Sequence, residues 1–107
     1  MTQPQKKPRR AMLEEFAAAH PNDAFVRYGL AMECANQGDH AAATENFDKL
    51  LADHPDYVTG YFQYGQLLAR LSRIADARRT LNSGIEVARR TGDQHAASEM
   101  EAALAQL

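Results

Sequence analysis

A chain of 107 residues with 45% hydrophobic content has room for one domain with one continuous core and none for a second. Its formal net charge of −2 gives no field that would draw nucleic acid or an anionic membrane surface, and its single cysteine, Cys34, excludes an intramolecular disulfide and a thiolate metal cluster. Apolar runs are a few residues long, far below the roughly 20 of a membrane span, and the first ten positions lack a signal peptide's apolar centre, so a cytoplasmic protein is expected.

In chain order, residues 1–9 come first as a polar stretch with Pro4, Pro8, Lys6, Lys7 and Arg9. They are expected to form a disordered basic tail ahead of one helical domain over 10–107. Four basic residues in the first ten positions, Lys6, Lys7, Arg9 and Arg10, without interleaved aromatics, read as a solvated terminus, not a nucleic-acid or membrane contact. Beyond the tail, alanine, leucine, glutamate, arginine and glutamine dominate, β-branched residues are few and tryptophan is absent, which favours helix over strand. Apolar residues recur at helical spacing, and the breaks between them predict six helices, at about 10–19, 23–37, 40–53, 57–71, 74–91 and 94–106.

The breaks have definite chemistry. His20-Pro21 and His54-Pro55 stop helices because proline disfavours helix in the preceding residue. Asn22 or Asp23, and Asp56, are then available to cap the next helix. Gly38-Asp39 and Thr91-Gly92-Asp93 join a glycine stop to an aspartate cap, with Leu71-Ser72-Arg73 as a weaker counterpart of the first.

These breaks also repeat. His-Pro recurs after 34 residues, and the same offset pairs Tyr28 with Phe62, Leu30 with Tyr64, Ala31 with Gly65, Ala43 with Ala77 and Phe47 with Leu81. The pattern resembles the tetratricopeptide repeat, a 34-residue helix-turn-helix unit. Pro21 and Pro55 match its closing proline, while Leu30-Ala31, Ala43 and Phe47 match one repeat and Tyr61, Tyr64-Gly65 and Ala77 the next; Arg27, Cys34 and Arg89 depart from it. The resemblance implies an all-α fold, a short right-handed α-solenoid of antiparallel helix pairs. Its full repeats would cover 22–55 and 56–89. Leu13, Phe16 and Pro21 would belong to the second half of an incomplete repeat, and 94–106 would be a capping helix, inward at Ala96, Met100, Ala103, Leu104 and Leu107. Arg89 in place of proline implies a longer fifth helix. Small residues at Ala31 with Ala43, and at Gly65 with Ala77, would let paired backbones approach where they cross, with Phe47 and Leu81 filling the space alongside.

No enzyme chemistry is legible. His20, His40, His54 and His95 stand apart, with no two on one i, i+4 face with a carboxylate. Cys34 falls on an inward face and reads as a small apolar side chain. Glycine-rich phosphate loop, serine elbow and paired carboxylates are all missing from the sequence, so no catalytic residue, metal or cofactor is expected.

The informative stripe is on the first helix of each repeat. Opposite the inward Leu30, Ala31 and Cys34 stand Phe25, Tyr28, Met32 and Asn36, and the matching set is Thr59, Phe62, Gln66 and Arg70. By resemblance this face lines a concave peptide-binding groove, made here of Phe25, Tyr28, Met32, Asn36, Phe62, Gln66 and Arg70. Relatives that grip a C-terminal carboxylate use lysine and asparagine on this face. Tyr28, Met32 and Gln63 stand there instead and suit an apolar peptide or amphipathic helix. The expected function is a non-enzymatic interaction module for another protein or peptide. The alternative is homo-oligomerisation through the same groove or the last helix.

Overall fold

A computed structural model describes residues 8–107, so most of the expected basic tail lies outside the described residues. Six helices follow in order: α1 (Arg9–Ala19), α2 (Ala24–Asn36), α3 (His40–Asp53), α4 (Val58–Arg70), α5 (Ile74–Arg90) and α6 (Gln94–Ala105). Arg9 is the first residue of α1, not the last of a tail, which corrects the expected boundary at 9.

The ends of the helices follow from local hydrogen bonding. At Gly38, Ser72 and Gly92 the chain turns into the left-handed region, with φ of 77°, 61° and 82°. In each case the next amide reaches back to the last turn: Asp39 N to Cys34 O at 3.0 Å, Arg73 N to Leu68 O at 2.9 Å, Asp93 N to Ala88 O at 2.7 Å. That is the glycine-centred helix stop, and Ser72 takes the glycine's place one repeat after Gly38. Aspartate then starts the next helix: Asp23, Asp39 and Asp93 accept from the amides of Val26, Ala42 and Ala96. Asp56 does not. The N-cap of α4 is Tyr57, which makes no side-chain cap bond, and the Asp56 carboxylate instead accepts from Arg90 Nη2 at 2.7 Å, tying the start of α4 to the end of α5.

Turns of this length force consecutive helices to lie antiparallel, so α2 pairs with α3 and α4 with α5. Ala31, Cys34, Ala43 and Phe47 are fully buried in a cluster shared with Leu30, Leu50, Tyr64 and Ala77. Phe47 stacks on Tyr64 with ring centroids 5.1 Å apart. The two buried tyrosines bring their hydroxyls to acceptors, Tyr64 to Asp48 Oδ1 and Tyr61 to Pro55 O, both at 2.7 Å, so neither leaves a polar atom unpaired.

The glycine contacts differ in part from expectation. A Cβ on Gly65 would stand 2.6 Å from Cγ and Cδ2 of Leu81, so the close neighbour is a side chain one turn beyond Ala77. A tighter contact is at Gly84, where a Cβ would be 2.5 Å from both Tyr61 Cβ and Met100 Sδ. Three helices therefore meet over Gly84, because α6 packs on both α4 and α5.

Lacking the closing proline, α5 runs 17 residues against 14 in α3, and α6 starts two residues late relative to the repeat. Its most buried residues are Ala97 and Met100, with Ala96, Ala103, Leu104 and Leu107 only partly covered. This end of the stack is thus closed by α6.

Two stability predictions follow from these contacts. Gly84→Ala should destabilise by about 1–3 kcal/mol through overpacking, the reverse of the roughly 1 kcal/mol gain the same change gives at an unconstrained helix position; urea unfolding measures the sign. Ser72→Gly should stabilise by about 1 kcal/mol, since it removes the left-handed penalty of a residue with a Cβ, read as a raised melting temperature.

Candidate protein-interaction surface

The expected stripe divides among three places. Phe25, Tyr28, Met32 and Asn36 come together in a cleft of about 660 Å³ between α1 and α2, with Leu13 and Phe16 forming its other wall. Phe62 borders a smaller, more polar depression beside Asp93, His95 and Glu99 at the start of α6. Gln66 and Arg70 border a third, against Ala103, Gln106 and Leu107 at the end of α6. The α2 half of the stripe thus borders α1, and the α4 half borders α6.

Exposure within the stripe is uneven. Phe25 is 74% exposed, whereas Tyr28, Met32 and Phe62 are half-buried. Tyr28 turns toward the next repeat and sits against Tyr57 at 5.5 Å between centroids, where burial raises its hydroxyl pKa. It is partly a packing residue, and Phe25 is the more exposed of the two. Phe16, at 50% exposure, is the apolar residue that the stripe missed, because it stands on α1. Its helical spacing from Met12, another exposed apolar side chain, was the available signal.

The cleft exists because α1 is held against the α2–α3 turn. Arg10 Nη1 donates to Asp39 Oδ2 at 2.8 Å and to Gln37 Oε1 at 3.3 Å, and Arg9 pairs with Glu33 at 3.4 Å across the helices. The Arg10 guanidinium, and after it the Ala42 amide, hold the Asp39 carboxyl below its ordinary value of 3.8.

Histidine and cysteine chemistry adds nothing to this surface. Among the described residues no three of histidine, cysteine, aspartate and glutamate converge as metal ligands, and no helix is long and apolar enough to cross a membrane. His95 pairs with Glu99 on the exposed side of α6. Cys34 is fully buried, and that burial raises its thiol pKa, which is the setting of an inert side chain.

The family pattern of the tetratricopeptide repeat matches residues 35–107. The chain belongs to the tetratricopeptide-repeat family. A tetratricopeptide-repeat domain protein of Salinibacter ruber, solved in solution, is 41% identical over 80% of this chain and 87% of its own, with a TM-score of 0.76. A repeat-containing protein of Pseudomonas aeruginosa is 28% identical over 89% of this chain and 90% of its own length. A Bordetella parapertussis protein shares the fold at 24% identity, covering 94% of this chain and 88% of its own, with a TM-score of 0.80. Tetratricopeptide-repeat domains are generally non-enzymatic modules that bind other proteins.

The Arg10 anchor has a pH signature. A carboxyl whose folded pKa is depressed contributes stability above its unfolded value, and that contribution is lost as pH falls through the folded value. The contribution is thus present above pH 3.8 and disappears in more acidic solution. Arg10→Ala should move the Asp39 pKa up toward its ordinary value, followed by carboxyl-carbon NMR titration; an unmoved value would show that the Arg10 contact is not what depresses it.

Proposed function

We propose that this tetratricopeptide-repeat domain docks a peptide or amphipathic helix on the exposed faces of α2 and α4, with Phe25 and Met32 as apolar anchors and Phe62 as a further contact. Asn36, Gln66 and Arg70 supply the polar rim. The observation that carries this reading is Phe25, a phenylalanine 74% exposed beside Met32 and Phe16 in one cleft. An exposed aromatic at the edge of a concave apolar surface is what interaction hot spots are built from. Burying such a side chain against a partner contributes about 1.5–3 kcal/mol, so two or three anchors suffice for micromolar affinity after the costs of association. Methionine adapts to irregular apolar partners, in keeping with helix or peptide recognition.

Selection of helix-forming and extended peptides from a displayed random library, followed by NMR mapping, tests it. Binders should shift resonances of α2 and α4, and Phe25→Ala should weaken them at least tenfold while changing stability by less than about 0.5 kcal/mol, as for other surface positions. Binders that map elsewhere, or that ignore Phe25→Ala, overturn the proposal.

A further inference from the structure

The two ends of the stack are unlike. α6 closes one end with Ala97 and Met100 inward and presents a polar face to solvent. At the other end α1 is the second helix of a repeat whose first helix is not among the described residues.

The internal repeat shows what belongs in that place. Leu13 and Phe16 of α1 correspond, 34 residues on, to Phe47 and Leu50 of α3. Those two are fully buried, enclosed in the cluster to which α2 contributes Leu30, Ala31 and Cys34. Phe16 stays half exposed because no helix among the described residues stands to α1 as α2 stands to α3. The vacancy is lined by Leu13, Phe16, Phe25 and Met32.

One counterpart differs in charge. Where α3 has Ala43, buried in the same cluster as Ala31, α1 has Arg9, whose side chain lines the cleft and is 75% exposed. The start of α1 also breaks the rules for a helix N-terminus. It has no side-chain cap and no acidic residue in its first turn, and it carries Arg9 and Arg10 where the helix dipole favours negative charge. Lys6 and Lys7 precede them in the sequence. Arg10 is answered by Asp39 within the chain, while Arg9 makes the 3.4 Å contact to Glu33 at the rim. A local conflict of this kind, beside an uncovered apolar wall, marks a place where a partner completes the structure.

We propose that the cleft between α1 and α2 binds an acidic amphipathic helix of a partner protein, which lies antiparallel to α1 as the missing first helix of the half repeat. Its apolar face covers Phe16 and Phe25, and a carboxylate at the position equivalent to Ala31 meets Arg9. This rests on the interaction-module reading but assigns the partner a charge, an orientation and a place at the end of the stack.

The probe is the chain's own first-helix sequence, since α2 fills the equivalent place against α3. Two synthetic peptides of residues 22–37 carry Cys34→Ala, one with Ala31→Glu and the other with Ala31→Lys, and each is titrated against the full chain by fluorescence anisotropy. The glutamate peptide should bind at least tenfold more tightly than the lysine peptide. Arg9→Glu, which places an acid where the helix dipole favours one, should invert that preference. Phe16→Ser should weaken both peptides at least tenfold, and Phe62→Ala should leave them unchanged. Binding that ignores Arg9 and Phe16 but falls with Phe62→Ala overturns this inference and leaves docking on the α2 and α4 faces standing. Absence of binding by either peptide overturns it as well, while the library selection tests the broader reading separately. If the protein alone forms a dimer that Phe16→Ser dissolves, a second copy occupies the cleft and the partner assignment fails.

Discussion

The structure depends on close approach between paired helices, which only small side chains permit. Ala31, Ala43 and Ala77 are fully buried, and neither Gly65 nor Gly84 has space for a Cβ without displacing a neighbour. Once those contacts are made, the large residues have fixed places: Phe47 stacks on Tyr64, Leu81 fills the space over Gly65, and Met100 lies over Gly84. Interiors packed at this density transmit a misfit of one methyl group to the next helix. The directions in which α2 and α4 present their outer faces are therefore consequences of where alanine and glycine stand on the inner ones.

That arrangement also explains why the ends differ. A helical-repeat stack leaves an uncovered apolar face at each terminus unless a residue pattern closes it. Here α5 continues past the position where proline ended α3, the last helix is displaced along the chain, and Ala97 and Met100 seal the stack. Nothing comparable covers Phe16 and Phe25 among the described residues. Both the exposed aromatics and the basic, uncapped helix start fall at the same end, and two independent departures from ordinary folding rules in one place favour a functional origin over a packing defect.

The electrostatics divide between joints and surface. Arg10 with Asp39 and Arg90 with Asp56 join elements distant in sequence, the first bringing α1 to the α2–α3 turn and the second closing the α4–α5 pair. Arg9 with Glu33 and Arg89 with Glu101 also run between helices, whereas pairs such as Arg73 with Asp76 lie exposed within about one turn and contribute little beyond solubility. The buried tyrosine hydroxyls serve the fold, each directed at a single acceptor.

The helices, their stops and the 34-residue period were legible in the sequence, because they are decided by forces acting within a few residues. Glycine enters the left-handed region freely, aspartate reaches the amide three residues on, and proline denies helix to the residue before it. The inward set Leu30, Ala31, Cys34 and Phe47 was legible for the same reason, since helical periodicity assigns a face before any partner is known. What only the tertiary structure decided were contacts between residues far apart in the chain. Asp56 had the right position to cap α4 but was taken by Arg90, 34 residues away. Gly84 met Tyr61 and Met100, and Phe25 and Met32 shared a cleft with Phe16 of α1 while Phe62 bordered α6. Periodicity tells which side of a helix is apolar; which helix arrives to cover it depends on packing summed over the whole stack, and at the α1 end no helix among the described residues does so.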